Sequence, residues 1–393
     1  MKLAIIGDRG IPARYSGFST LVEQLATRLV RDFGFDVTVY CRSHYYERHE
    51  PTFKGVHCVY LPAPGGKSFE SIIHSNLSIA HACFQKFDLV LVLDPGNGPF
   101  VLPLRIRGFP LLMHTDGMGW KRQKWSPLQQ RYYKWSEKVS ANLGHWLVTD
   151  SLAMRDYYID EYNSDSTFIP YAGEVGTGMD ASVLAEHALE RDGYYLAVAR
   201  IEPENNIHLI IREYRAARLS RPLVVVGDAR YDTPYGRQIA AESDEDVRCI
   251  GSVYEPNKLN ALFHNSYCYL HGHSVGGTNP SLLNAMHMRA APVPLNVVFH
   301  REVMGEDCIY FEPDIGHLAA ILQRLDHNPE QVEALRRTAK HRSDSLYRWD
   351  AVAAAYAELM QRMLSCRKGA KPLAESLQDK IYQPERFFAA RCE

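Results

Sequence analysis

The sequence predicts an α/β protein made of two doubly wound units. Short apolar runs of strand length alternate with amphipathic helical segments along most of its 393 residues. A chain of this length exceeds one ordinary hydrophobic core, which indicates two domains. Its hydrophobic fraction of 46% and charged fraction of 23% are typical of a water-soluble globular protein.

The first unit opens with a strand at residues 2–7 and a helix at 19–33, where Thr20 and Glu23 have the spacing of an N-terminal capping box. Further strand-like runs follow at VTVY (37–40), VHCVYL (56–61), FDLVLVL (87–93), PLLMH (110–114) and WLVTDS (146–151). In a doubly wound sheet of this kind, ligands bind beyond the carboxyl ends of the strands.

Gly173, Gly176 and Gly178 predict a linker, after which the pattern restarts. The elements of the second unit are YYLAVAR (194–200), a helix with IREYRAARL (211–219), PLVVVGD (222–228), VRCIGSV (247–253), YCYLHG (267–272) and a helix from Pro280. We therefore expect domains at 1–172 and 173–345, a terminal helix at 346–365, and a tail at 366–393.

The first loop, GDRGIPARYSGF (7–18), disfavours a dinucleotide enzyme. Such an enzyme requires the spacing G-x-G-x-x-G and an acid after the second strand, and this chain has neither. The loop instead carries Arg9 and Arg14 at the carboxyl edge of the predicted sheet. Alternatively, Gly7 and Gly10 serve only to turn the chain.

The segment GHSVGGTNPSLLNAM (272–286) predicts a helix start that binds a ligand. Thr278 or Asn279 is a suitable N-cap, and Pro280 suits the first helical turn. Gly276 and Gly277 allow a ligand to approach backbone N–H groups. An anion binds favourably there because the N-terminal end of the helix dipole is positive.

Arg200 follows the first strand of the same unit and would add a cation to that site. A diphosphate suits the combination, since an arginine binds two oxygens at once. In isolation, an arginine here would more commonly pair with Glu202 or Glu204. We find no cluster of histidines and aspartates at metal-ligand spacing, so we expect no metal and no cofactor.

Bulk features predict a cytoplasmic protein that does not bind nucleic acid. The eight cysteines show no C-x-x-C spacing, which indicates reduced thiols. The net charge of −2 provides no overall attraction to nucleic acid. The N-terminal apolar run is too short for a signal peptide, and no apolar run reaches the length of a membrane span.

Seven motifs together resemble family 4 glycosyltransferases of the GT-B fold, in the bacterial branch that includes rhamnosyltransferases of cell-surface polysaccharide assembly. They are GDRGIPARYSGFSTLVEQLA (7–26), DGMGWKRQKW (116–125), VTDS (148–151), YLAVARIEPENN (195–206), GHSVGGTNPSLLNAM (272–286), HREV (300–303) and YRWDAVAAAYAEL (347–359). The resemblance implies two Rossmann-like domains that face each other across a cleft, with the terminal helix packed back on the first domain.

The resemblance also implies a reaction. A sugar such as rhamnose would move from a nucleoside diphosphate donor to a glycan or lipid-linked oligosaccharide, with retained anomeric configuration and without a metal. Two alternatives remain open. One is a degenerate protein that binds nucleotide sugars without turnover, and the other is a nucleotide-sugar epimerase of the same fold.

Residue by residue, the resemblance places Arg200 at the donor diphosphate, His114 near the transferred sugar, and Asp116 near the reacting centre or the acceptor. The other donor-binding positions that it implies are Gly10, Gly276, Gly277, Thr278, Asn279, Asn284 and Glu302. A histidine that ends a strand, such as His114, is equally often a structural hydrogen-bonding residue.

The chain departs from the family pattern at three places. Asn205 stands where many members have a lysine, and Gly119 replaces a glutamate of the D-G-x-E-W motif. Gly276 and Asn284 occupy the two ends of the Glu-x7-Glu motif, whose second glutamate normally binds the donor ribose. An asparagine binds a hydroxyl without a charge, which weakens the case for ordinary turnover.

The segment WKRQKWSPLQQRYYKWSEKV (120–139) combines six Lys or Arg residues with three Trp and two Tyr. This mixture suits the surface of an anionic membrane, which predicts peripheral membrane contact there. RNA or single-stranded DNA would use the same residue types, but the rest of the chain is not basic. The alternative is a solvated helix whose aromatic residues pack inward. The acceptor-side or membrane-side candidates are Arg14, Tyr15, Trp120, Lys121, Arg122 and Lys124.

Overall fold

The structure is a computed structural model that describes residues 1–13, 17–64, 66–115, 117–121, 125–173, 178–229 and 232–365. Two compact units make up this part of the chain. The first comprises residues 1–171 together with 349–365, and the second comprises residues 172–348.

The first unit is built on one sheet. Its described strands are β1 (Lys2–Ile6), β2 (Asp36–Arg42), β3 (Thr52–Phe53), β4 (Val56–Leu61), β5 (Leu89–Leu93), β6 (Leu111–Thr115), β7 (Trp146–Thr149) and β8 (Thr167–Phe168). Their order in the sheet is β3-β4-β2-β1-β5-β6-β7-β8. Neighbouring strands are parallel, apart from the antiparallel β3–β4 pair. The central strand β5 is buried along its whole length, as expected for a strand covered on both faces.

Helices cover both faces of this sheet. They are α1 (Gly17–Phe33), α2 (Gly66–Cys83), α3 (Leu102–Ile106), α4 (Pro127–Leu143) and α5 (Leu152–Tyr162). The steps that contain α2 to α5 all advance in one direction across the sheet, whereas α1 joins β1 to β2 in the opposite direction. Right-handed crossovers therefore place α2 to α5 on one face and α1 on the other.

The predicted start of α1 is wrong. The helix begins at Gly17, so Thr20 lies inside it and cannot cap it. Glu23 is occupied elsewhere, because its Oε2 accepts a hydrogen bond from the backbone N–H of Ala13 at 2.8 Å and its Oε1 accepts one from Lys54 Nζ at 3.1 Å. The carboxylate thus holds the first loop instead of closing a capping box.

The second unit repeats the α/β architecture. Its described strands are β9 (Tyr195–Val198), β10 (Leu223–Val226), β11 (Val247–Cys249), β12 (Cys268–His271) and β13 (Pro292–Pro294). They form a parallel sheet in the order β11-β10-β9-β12-β13. The helices are α6 (Ser182–Glu186), α7 (Ile207–Ala217), α8 (Pro234–Ala241), α9 (Pro256–Asn265), α10 (Pro280–His287), α11 (Val298–Met304), α12 (His317–Asp326) and α13 (Pro329–Leu346). The predicted α/β class with parallel sheets is confirmed.

The last described helix, α14 (Trp349–Ser365), belongs to the first unit. Arg28 Nε of α1 donates a hydrogen bond to Asp350 Oδ1 at 2.9 Å. The predicted start of this helix at residue 346 is wrong, since Leu346 is the last residue of α13. Tyr347 leaves the helical conformation, with φ of −122° and ψ of 64°, and α14 then starts at Trp349.

Candidate functional site

Arg200 lies just beyond the carboxyl end of β9, at the edge where a parallel sheet binds its ligands. The chain turns there, because the Glu202 N–H donates a hydrogen bond to the Arg200 carbonyl at 2.8 Å. The guanidinium Nη2 is 3.6 Å from Glu202 Oε2, and the arginine side chain is 55% exposed. Arg200 therefore forms the ion pair expected of an isolated arginine and is still accessible to a ligand.

Hydrogen bonds join the Arg200 turn to the segment before α10. Asn205 Nδ2 donates to the Arg200 carbonyl at 2.8 Å. The backbone N–H and the hydroxyl of Ser274 both donate to the Glu204 carbonyl at 2.9 Å. Asn205 is only 2% exposed, so its amide shapes the turn, at the position where the family has a lysine cation. The fold thus holds Arg200 beside the glycine-rich segment.

The start of α10 has the predicted backbone but not the predicted cap. Asn279 is the N-cap residue and Pro280 is the first helical residue, yet the Asn279 side chain makes no capping hydrogen bond. Gly276 has φ of +134°, which other residues rarely adopt. Gly277 and Thr278 are buried. Pro280 has no N–H group, and the N–H groups of Leu282 and Leu283 donate to the Asn279 carbonyl at 3.1 and 3.2 Å. An anion at this end is therefore favoured mainly by the helix dipole and by the N–H groups of the glycine-rich segment.

Three histidines that none of the sequence predictions include lie next to this helix start. The His271 ring stacks on His273 with centroids 4.3 Å apart, and the His300 ring centroid is 4.7 Å from that of His271. Burial, followed by the charges of His300 and Arg200, lowers the pKa of His273 to about 3. Burial lowers the pKa of His300 to about 4. The cluster is therefore neutral near pH 7, and positive charge at this edge comes from Arg200 and the helix end.

The histidine cluster is not arranged as a metal site. Within the part of the chain that the structure describes, no group of three or more His, Cys, Asp or Glu side chains is placed to hold a metal ion. The H-x-H spacing of His271 and His273, directly before the glycine-rich segment, is the sequence signal that could have identified two of the three.

Asn284 and Glu302 occupy different environments. Asn284 is half-buried in the middle of α10, on the helix whose start is described above. Glu302 follows His300 by two residues on α11, which places the two side chains about 200° apart around the helix. His300 Nε2 is 3.5 Å from Asn279 Nδ2, whereas the Glu302 carbonyl accepts a hydrogen bond from Arg342 Nη2 at 3.0 Å. Glu302 therefore lies on a different face of α11 from the residue that contacts the helix start.

In the first unit, aromatic rings enclose His114 at the end of β6. The side chain is 1% exposed, and its ring centroid is 5.5 Å from that of Phe18 and 5.8 Å from that of Tyr171. Tyr356 of α14 lies parallel to the His114 ring at 6.5 Å. The terminal helix thus contributes directly to the surroundings of His114.

Gly10 is required by local packing. Its φ is +112°, and a Cβ atom at this position would lie 2.5 Å from Cys41 Sγ. The Gly10 N–H donates to Asp8 Oδ2 at 3.2 Å, and burial raises the pKa of the Asp8 carboxyl. These contacts account for the glycine on structural grounds.

Trp120 packs into a polar network instead of facing solvent. Its Nε1 donates to the Tyr157 hydroxyl at 3.1 Å, and Lys134 Nζ lies 4.9 Å from the Trp120 ring centroid. The Tyr157 hydroxyl in turn donates to Glu137 Oε2 at 2.8 Å. Lys121 is exposed. Five predicted residues lie outside the described part of the chain, namely Arg14, Tyr15, Asp116, Arg122 and Lys124.

Comparison with known families divides the chain at the same place as the two units. Residues 1–174 match a family described as a domain of unknown function (DUF1972). Residues 184–342 match the family Glycosyl transferases group 1. No curated protein matches the chain significantly.

Several solved structures share the whole fold. A sucrose-phosphate synthase from Thermosynechococcus elongatus is 18% identical with a TM-score of 0.76, over 93% of this chain and 99% of that one. Anabaena Alr3699/HepE in complex with UDP is 11% identical with a TM-score of 0.69, over 92% and 100% of the two chains. A glycosyltransferase from Rickettsia africae ESF-5 is 11% identical with a TM-score of 0.65, over 93% and 99%. The predicted GT-B fold is confirmed. The second unit is therefore similar to glycosyl transferases group 1 over residues 184–342, which supports a glycosyltransferase enzyme.

Proposed function

We propose that the protein transfers a sugar, with rhamnose as the first candidate, from a nucleoside diphosphate to a glycan or lipid-linked acceptor in surface polysaccharide assembly. Retention of the anomeric configuration, metal independence and action on the cytoplasmic side are part of the proposal. One observation supports it above the others, namely that the Arg200 turn is hydrogen-bonded to the segment that starts α10. The complexes of the Anabaena protein with UDP and UDP-glucose support a nucleoside diphosphate donor.

The geometry suggests how the donor diphosphate is held. Arg200 would bind two of its oxygens, and the N–H groups around Gly276, Gly277 and the start of α10 would bind others. Thr278 and Asn279 directly precede this helix, and Asn284 lies within it. As the bond between the sugar and the diphosphate breaks, the negative charge that develops on the leaving group is stabilised by this positive end.

The acceptor hydroxyl then forms the new glycosidic bond on the face from which the diphosphate departs. Its proton passes to the leaving phosphate oxygen, so that a nucleoside diphosphate and the glycosylated acceptor are the products. We assign His114 and Asp116 to the surroundings of the transferred sugar, and Arg14, Tyr15 and Trp120 to the acceptor side. Positive charge from Arg200 and the helix end takes the place that a metal would have at the diphosphate.

Release of nucleoside diphosphate tests this function. The protein is incubated with a panel of nucleoside diphosphate sugars, with and without a bacterial membrane extract as the source of acceptor. We expect release with one donor and only when the extract is present, with a product of retained configuration by NMR. EDTA should leave the rate unchanged. If no nucleotide sugar and no free nucleoside diphosphate raises the melting temperature, the proposed donor site is contradicted.

A second candidate is a nucleotide-sugar-binding protein without turnover, and Asn284 is the observation that favours it. We expect Asn284→Glu to strengthen donor binding by about tenfold, because a carboxylate accepts hydrogen bonds from ribose hydroxyls more strongly than an amide does. Calorimetric titration with the preferred nucleoside diphosphate measures this affinity, and product release measures turnover.

Asn284→Gln is the matched control, since it has the length of glutamate without the charge. A gain in affinity with turnover in Asn284→Glu alone supports a weakened enzyme. Equal affinities for the glutamate and glutamine variants would mean that the pocket is rebuilt around the amide and that the charge at this position has no role.

A further inference from the structure

Exposed apolar side chains of the first unit are confined to one face of its sheet. Every large hydrophobic residue that is exposed in the described part of this unit lies on α2 to α5 or in the turn after α2. The opposite face carries α1, which is paired with α14 through Arg28 and Asp350. Contiguous exposed apolar surface commonly marks an interaction site. The layer of helices α2–α5 is therefore the face of this unit on which an interaction site is expected.

Within this layer, the ends of three helices meet at the same edge. Arg107 Nε donates a hydrogen bond to the Cys83 carbonyl at 3.1 Å, which ties the end of α3 to the end of α2. Arg105 of α3 donates to the carbonyl of Leu143, the last residue of α4. Two of the most exposed apolar side chains of the protein lie here, Phe84 at 87% and Ile106 at 77% exposure.

The helix α4 continues this surface as an ordered stripe. Residues 128, 131, 135, 138 and 142 recur at intervals of three and four, so they share one helix face, and all five are exposed. Leu128 is 77% exposed and Trp135 is 54% exposed. Other aromatic residues of the same segment point elsewhere, since Trp125 stacks on Tyr133 at 5.2 Å. The structure thus separates inward aromatics from outward ones, which the sequence could not do.

The charge of the part of this surface that α2, α3 and α4 form is one-sided, whereas α5 exposes Asp156, Asp160 and Glu161. Within residues 70–86, 101–108 and 127–143, every exposed ionised side chain is a lysine or an arginine. The acids in these ranges are withdrawn, because Glu70 pairs with buried Arg42 at 2.6 Å and Glu137 is fully buried. The chain as a whole has a net charge of −2, so this is a local feature.

We propose that this face of the first unit docks the protein onto an anionic lipid surface. The docking surface consists of Phe84, Ile106, Leu128, Arg131, Trp135 and Lys138. Exposed apolar side chains enter the boundary between headgroups and acyl chains, a tryptophan is favoured at that boundary, and basic residues are attracted to anionic headgroups. Among the described residues, no helix is both long enough and apolar enough to span a bilayer.

The positive charge of the docking surface favours an anionic lipid surface over a second copy of this chain as its partner. A symmetric dimer through this face would bring Arg131 and Lys138 of one copy against the same residues of the other, which repel. An anionic lipid surface has the opposite charge. The inference rests on the proposed function and deepens it, because a lipid-linked acceptor would be presented to the enzyme at such a surface.

Sedimentation with vesicles tests the proposal without any need for activity. The probes are phosphatidylcholine vesicles with and without phosphatidylglycerol, at low and high salt. We expect the full chain to bind only the anionic vesicles, and less at high salt. The double variants Leu128→Ser/Trp135→Ser and Arg131→Glu/Lys138→Glu should each lower the partition coefficient by about tenfold or more.

Matched controls come from the second unit. Ile315 is 87% exposed and Arg324 is exposed on α12, so Ile315→Ser/Arg324→Glu makes equivalent changes outside the docking surface and should bind like the unchanged protein. Unchanged vesicle binding by both surface variants overturns the proposal, as does failure of the unchanged protein to bind. If the unchanged protein does not bind vesicles but forms a dimer, and the Leu128→Ser/Trp135→Ser variant is monomeric, the face is a self-association surface instead.

The donor site is measured separately on the same proteins. A surface variant that loses vesicle binding should keep its thermal shift with nucleoside diphosphate, which supports the docking surface independently of the donor site. Conversely, vesicle binding without any nucleotide shift would contradict the proposed function and leave the docking surface standing.

Discussion

Arg200→Ala is expected to weaken the binding of nucleoside diphosphate by about tenfold to a hundredfold. A hydrogen bond to a charged group contributes about 1.5–3 kcal/mol, and this change removes the only side-chain cation that we assign to the diphosphate. Asn205, which stands at the second cation position of the family, is turned inward onto the Arg200 carbonyl and cannot compensate. Calorimetric titration with UDP and with other nucleoside diphosphates measures the change.

The matched control is Arg191→Ala. Arg191 is 67% exposed and lies 3.7 Å from Asp192, so its exposure and ion pairing resemble those of Arg200, which is 55% exposed and 3.6 Å from Glu202. The control should bind nucleotide like the unchanged protein. Equal losses in the two variants would show that general charge, and not a site at Arg200, attracts the ligand.

Glu137→Gln is expected to remove a large pH dependence of stability. Burial raises the pKa of the Glu137 carboxyl to about 7, although hydrogen bonds from Tyr157 and Tyr162 and the charge of Lys134 act to lower it. Tyr157 and Tyr162 both donate to Oε2, at 2.8 and 2.9 Å. A glutamine accepts the same hydrogen bonds without a charge, so we expect the variant to fold.

The sign follows from the raised pKa. Between the ordinary value of 4.5 and about 7, the folded protein keeps a proton that the unfolded chain has lost. The free energy of unfolding therefore falls as pH rises through this range, by about 3 kcal/mol in total. The variant lacks this titrating group. As pH rises through the same range, the free energy of unfolding of the variant should therefore rise by that amount relative to that of the unchanged protein. Urea unfolding at about pH 5 and about pH 8, which together span most of this range, measures most of the difference.

Groups that titrate elsewhere, such as the buried histidines, are common to both proteins and cancel in the comparison. Glu161→Gln is the control, because Glu161 pairs with the same Lys134 at 3.0 Å but is 45% exposed. That variant should keep the pH dependence of the unchanged protein. A pH dependence that survives in Glu137→Gln would contradict the assignment of the raised pKa to this carboxyl.

Local patterns were sufficient to predict most of the framework. The continuous apolar run LVLVL predicted a strand, and β5 is buried at every residue. The pair of glycines followed by Thr-Asn-Pro predicted where α10 begins, and the helix starts at Pro280 with Gly276 at φ of +134°. Both features depend on residues that are adjacent in the chain, so the local sequence pattern is sufficient to predict them.

Competition from distant partners explains where local patterns failed. Thr20 and Glu23 have the spacing of a capping box, but Ala13 and Lys54 bind the carboxylate instead. The alternating aromatic and basic residues of 120–139 were compatible with membrane contact and with inward packing. The fold places these residues in two environments, since Trp120 donates a hydrogen bond to Tyr157 while Trp135 is 54% exposed.

The sequence by itself determined the α/β class and the two-unit organisation, and it identified the segments of the proposed donor site, because each is encoded in periodicity or in a contiguous motif. Only the tertiary structure decided which side chains meet. It brought Ser274 to Glu204, 70 residues away, and Tyr356 of the terminal helix to His114. It also buried Glu137 and left Leu128 exposed on the same helix. Such contacts depend on how strands are ordered and which helix face is covered, and no local pattern of residues specifies either.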